Sequence, residues 1–110
     1  MRPVRDAHEL ARAFEEPWAL VFKHSTRCPV STVAHREVAE FRRRHPLVPV
    51  YVVHVVEQRD LSKAVAERTG VPHESPQAIV LTGGSVAWSD SHESVTADAL
   101  EALLFKPVPP

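Results

Sequence analysis

The sequence predicts an α/β domain with a central four-stranded mixed sheet flanked by helices, in the order α-β-α-β-α-β-β-α. Three observations carry this. Trp18 to Phe22 and Val48 to Val56 are apolar, the second rich in β-branched residues with hardly any alternation, as in a strand covered on both faces. Segments with apolar residues at helical spacing lie before, between and after them. Gly83-Gly84 joins Gln77 to Leu81 with Ser85 to Trp88 as a tight hairpin.

Each element follows from local chemistry. Asp6 and Glu9 resemble a capping box, and Leu10, Ala13 and Phe14 then share a face, predicting a helix near 6–15 that Pro17 closes. Trp18 to Phe22 is too short for a buried helix and reads as an inner strand. Pro29 suits a first helical turn, where its missing N–H costs nothing, and Val30, Ala34, Val38 and Phe41 give that helix a packing face as far as about Arg44, with Pro46 preventing continuation. A parallel strand at 48–56 is the simplest connection. Asp60 is the expected N-cap of a third helix carrying Leu61, Ala64 and Val65, which ends at Gly70. Thr96 caps a last helix in which Leu100, Leu103 and Leu104 share a face, with Val95 placed to staple onto Leu100.

A chain of 110 residues suits a single domain, 1–110, with Pro107-Val108-Pro109-Pro110 as a frayed tail. Net charge is −1 with both signs interspersed, so no basic field points to nucleic acid or an anionic membrane, and Arg42-Arg43-Arg44 reads as the favourable basic last turn of a helix. No run approaches the roughly 18 apolar residues of a membrane span, and no secretory pattern opens the chain. A cytoplasmic protein is expected. The histidines are scattered and His24-x-x-x-Cys28 is the one close His/Cys pair, so no metal site is expected.

Cys28 is the only cysteine, so any disulfide it forms joins it to another molecule. It lies between the first strand and the Pro29 helix. A thiol at a helix N-terminus faces unpaired backbone N–H groups and the positive end of the dipole, which favour the thiolate. Ser31, three residues on, is placed to donate to that sulfur; it also stands where a Cys-x-x-Cys motif has its second thiol, so a mixed disulfide on Cys28 has no internal thiol to resolve it. Lys23, His24 and Arg27 add positive charge if they turn toward the site.

The element order is that of thioredoxin. In that fold the strand-cysteine-helix junction at 22–31 is the redox site and Ser75-Pro76 falls where a cis-proline precedes the third strand, an assignment that comes from the fold and not from the dipeptide. Val21-Phe22-Lys23-His24-Ser25-Thr26-Arg27-Cys28-Pro29-Val30-Ser31, His54-Val55-Val56-Glu57 and Val71 to Gln77 resemble the bacilliredoxin family, in particular its YtxJ-like monothiol group in bacteria that use bacillithiol. Members usually carry Thr-Cys-Pro-Ile-Ser, so Arg27 and Val30 depart from the pattern. The resemblance implies a monothiol thiol-disulfide oxidoreductase: Cys28, with Pro29 and Ser31, attacks mixed disulfides between bacillithiol and client proteins and takes the bacillithiol. Lys23, His24, Arg27, Ser75, Pro76 and Gln77 are then the expected substrate-binding residues, the backbone at Ser75 pairing with an extended client segment. Bacillithiol is a co-substrate, no cofactor is tightly bound, and the protein acts as a monomer. Two other functions use the same residues: a thioredoxin-scaffold adaptor in which Cys28 is passively modified, and an iron–sulfur carrier like monothiol glutaredoxins, whose Cys-Gly-Phe-Ser pattern Pro29-Val30 does not match.

Overall fold

Strand pairing places the reactive segment at one end of a twisted sheet. The computed structural model describes residues 1–105, so the expected tail at 107–110 lies outside the described residues. The elements are β1 (Arg2–Pro3), α1 (Ala7–Glu15), β2 (Trp18–His24), α2 (Pro29–Arg44), β3 (Val50–His54), α3 (Arg59–Thr69), β4 (Gln77–Thr82), β5 (Ser85–Ser91) and α4 (Ala97–Leu104), with a 3-10 turn at His92–Ser94. The sheet has five strands in the order β1-β3-β2-β4-β5, one more than expected. The addition is β1, whose two residues pair parallel with Tyr51 and Val52 of β3. Two exposed residues offer no periodicity to read; the neighbouring Val4 N–H, 2.9 Å from the Val52 carbonyl, continues the pairing.

β2 is central, parallel to β3 and antiparallel to β4. Because side chains alternate along a strand, its residues feed two cores. Leu20 and Phe22 pack with Ala34, Val38 and Phe41 of α2 and with Leu100 of α4. Ala19 and Val21 face Leu10 and Ala13 of α1 and Val65 of α3. Val95 and Leu100 are both buried in the first core, as a staple requires.

Capping works largely as the sequence suggests. The Asp6 carboxylate accepts from Glu9 N–H at 2.9 Å, although the Glu9 side chain reaches Arg5 rather than closing the box, and Thr96 Oγ1 accepts from Ala99 N–H at 3.1 Å. Gly70 ends α3 with φ 73°. At the start of α3 the expectation fails: Gln58 is the N-cap, and Asp60 lies in the first turn, where its charge still suits the dipole. Gln58 is needed elsewhere, since its side chain accepts from His54 N–H at 3.0 Å and donates to the Val4 carbonyl, tying β3 to the N-terminal segment. Gly83 and Gly84 both have positive φ, and a Cβ on Gly84 would lie 2.8 Å from the Phe14 carbonyl oxygen.

Candidate thiol site

Cys28 is the N-cap of α2 and is half-buried. Pro29 supplies a first helical residue without N–H, no side chain caps the helix, and its first turn carries no acidic residue. The Cys28 side chain makes no cap hydrogen bond to the first-turn N–H groups, but it stands at the positive end of the α2 dipole with no acidic first-turn side chain to offset it. Residues 25–28 form a tight bend closed by a 3.4 Å bond from Cys28 N–H to the Ser25 carbonyl, while the Cys28 carbonyl accepts from Thr32 N–H at 3.1 Å.

Ser31 holds that bend rather than the sulfur. Its Oγ accepts from Ser25 N–H at 2.9 Å and lies 2.8 Å from His24 Nδ1, and the residue is wholly buried. Burial, reinforced by the neighbouring His35 and His54, holds the His24 imidazole below its ordinary value. The Ser31 hydroxyl is thus engaged by Ser25 and His24, and no hydrogen bond joins it to Cys28, which corrects the expected donation to the sulfur. His24 is likewise a support. It stacks on Phe22 with centroids 5.5 Å apart and lies 4.7 Å from the His35 ring and 6.0 Å from that of His54. Neither His35 nor His54 stands out in the sequence as part of this cluster, because they come from α2 and β3. Among the described residues no group of three or more His, Cys, Asp or Glu is arranged to hold a metal ion.

Lys23 is corrected further. One residue from His24, it points to the opposite side of the sheet, fully buried, with Nζ 3.0 Å from His73 Nδ1. Ser62 Oγ lies 3.2 Å from the same nitrogen. Burial lowers the lysine to about 8. Its charge sits under the loop leading to Pro76 and is not presented to a substrate.

The Ser75–Pro76 peptide bond is cis. Lys23 pairs with Gln77, so the end of β2 that leads to Cys28 lies beside the start of β4, and the thiol and Pro76 share one end of the sheet. Pro76 is buried and its carbonyl accepts from His92 N–H at 3.0 Å. His92 holds φ 56°, a left-handed conformation uncommon for a side-chain-bearing residue, and its Nε2 is 3.4 Å from Glu74. Ser75 Oγ is buried without a hydrogen-bond partner among the described residues. Gln77 is not a surface contact: it is buried and donates to the Pro72 carbonyl at 2.9 Å.

Arg27 is exposed beside the thiol. Together with Thr26, Cys28, Thr32 and Arg36 it lines an open cleft of about 390 Å³. Pro29 and Val33 form one wall of that cleft and also border an apolar groove of about 360 Å³ that continues over Val30 and Ala34 to Val95 and the His92–Ser94 turn. Arg36 and Thr32 escaped the sequence reading, although four- and eight-residue offsets from Cys28 put them on its face of the helix.

Comparison with known proteins matches this geometry. The model of a family described as monothiol bacilliredoxin BrxC matches residues 2–100. A thioredoxin-fold protein provisionally described as an oxidoreductase is 28% identical over 92% of this chain and 90% of its own, with a TM-score of 0.87. An asparagine-to-glutamine mutant of thioredoxin from Halobacterium salinarum NRC-1 is 19% identical over 98% of this chain and 93% of its own, with a TM-score of 0.78. Oxidised mitochondrial thioredoxin 3 from Saccharomyces cerevisiae is 14% identical, covering 93% and 91%, with a TM-score of 0.72. The last two are likenesses of fold.

Proposed function

Because this chain belongs to the monothiol bacilliredoxin family, within which it is a thiol oxidoreductase, we propose that it removes bacillithiol from protein cysteines. The observation that carries the reading is a lone, half-exposed Cys28 capping α2 at the sheet end that also holds cis-Pro76, with a serine in the place of a second thiol.

The Cys28 thiolate attacks the bacillithiol sulfur of a mixed disulfide. A bond forms between Cys28 Sγ and that sulfur, the original S–S bond breaks, and its electron pair leaves on the client cysteine as thiolate. The helix N-terminus supports the attacking anion, and the bend anchored by Ser31 fixes its direction. An extended client segment lies along the apolar groove with its backbone beside Ser75. The adduct on Cys28 then waits for an outside thiol, a second bacillithiol molecule, which leaves as bacillithiol disulfide.

The test is direct. A client protein carrying one bacillithiol adduct is mixed with the reduced protein and both are weighed by intact mass spectrometry. The adduct is expected to move to Cys28 and the client to regain its thiol; undiminished client recovery with Cys28→Ala would overturn the reading. Capture of clients that survives Cys28→Ser without adduct transfer would instead mark an adaptor.

A further inference from the structure

Charge is divided across the ridge beside the thiol. The cleft containing Cys28 has Arg27 and Arg36 in its lining, while the apolar groove beyond Pro29 and Val33 is bordered by Glu37 and Glu93. Both arginines are exposed, and neither takes part in an ion pair among the described residues. The other α2 arginines that make ion pairs do so at its far end, Arg43 with Glu40, and Arg44 with Glu40 and Asp98. Two free guanidinium groups on the thiol's own cleft are a fork-shaped donor set suited to carboxylates.

We propose that Arg27 and Arg36 form a specificity site for the carboxylates of the low-molecular-weight half of the mixed disulfide, and so decide which of its two sulfurs Cys28 attacks. This rests on the de-bacillithiolation reading and deepens it. Bacillithiol ends in a malyl group with two carboxylates, which gives each arginine an anionic partner. Seated in the cleft, it brings its own sulfur to Cys28 and leaves the client sulfur as the departing thiolate. The reverse seating would put the carboxylates against Glu37 and Glu93, where like charge opposes it. No further reactant is needed, because exchange conserves the number of disulfides.

The experiment compares three mixed disulfides of one client, made with bacillithiol, with glutathione and with the uncharged 2-mercaptoethanol, and reads the second-order rate of adduct transfer to Cys28. Wild type is expected to prefer the carboxylate-bearing adducts over the neutral one by about tenfold at low salt, a difference of roughly 1.4 kcal/mol, and Arg27→Gln/Arg36→Gln to erase most of that ratio. Adding about 0.5 M salt should shrink it as well, since the cleft is open to solvent. The ratio is the readout because a change in thiol reactivity scales all three rates together and leaves it untouched. A wild-type ratio near one, or a ratio unchanged in the double variant, overturns the arginine site while de-bacillithiolation stands. Absence of transfer from the bacillithiol adduct overturns the underlying reading itself. A preference for bacillithiol over glutathione that the double variant removes identifies the malyl carboxylates as the group recognised; equal rates for both, lost in the same variant, assign the site to small-thiol carboxylates in general.

Discussion

Lys23 and His24 are adjacent in sequence and both buried, yet they serve opposite faces of the sheet. His24 faces α2, where its bond to Ser31 secures the bend that carries Cys28. Lys23 faces α3, where it meets His73 in the loop that delivers Pro76. One face has a histidine whose Nδ1 meets the buried Ser31 hydroxyl. The other encloses an ammonium that forms no ion pair with a carboxylate among the described residues. The difference teaches that burial near a reactive thiol does not make a cation part of its electrostatics: the strand's alternation directs the charge to the wrong side.

The largest expected effect sets the reference for both faces. Cys28→Ala should abolish adduct transfer in the mass assay, with unfolding midpoints little changed because the thiol is half-exposed and makes no cap bond. Ser31→Ala strikes the α2 face next. It leaves the buried Ser25 N–H without its acceptor and His24 Nδ1 without its hydroxyl, and should cost about 2 kcal/mol in urea denaturation while slowing transfer severalfold. If instead transfer slowed with no loss of stability, Ser31 would act on the sulfur and not on the bend.

On the α3 face the sign reverses. The Lys23 value falls from 10.5 in the unfolded chain to about 8 when folded, so between those pH values the unfolded chain holds a proton that the native one lacks. Stability should rise with pH across that window, and the full cost of the buried charge is carried below about pH 8. Lys23→Met is expected to add about 1–3 kcal/mol at pH 7 and to flatten that rise, with transfer unaffected. A destabilised Lys23→Met would mean that the His73 contact outweighs desolvation. The smallest effect is shared by both faces. His24, His35 and His73 are all held below the ordinary histidine value, chiefly by burial. The unfolded chain therefore takes up protons first on acidification, and stability should decline as pH falls below about 6.5. His35→Asn should lessen that slope slightly, read as urea midpoints at pH 5 and 7.

Much of this was legible because the signals are short-range. Asp6, Pro29, Gly70 and Thr96 mark helix ends through bonds within one turn, and the apolar runs of β2 and β3 declare strands covered on both faces. β1 was not, since its pairing depends wholly on the edge of β3. Asp60 misled for a related reason: it is a good capping residue, but the chain enters α3 through Gln58, whose side chain bridges His54 and Val4.

At the site the same division holds. The sequence by itself determined a monothiol: one cysteine, at a helix start, with serine where a resolving thiol would stand, in an order of elements that brings Ser75-Pro76 to the same end of the sheet. The tertiary structure alone decided which polar groups attend that thiol. Ser31 turned to Ser25 and His24, Lys23 and Gln77 were drawn inward, and Arg36 joined Arg27 on the cleft. The reason is geometric. Capping and periodicity act over a few covalently linked residues, whereas a side chain's partners depend on which face of a strand meets which helix, and a shift of one residue along a strand exchanges one face for the other.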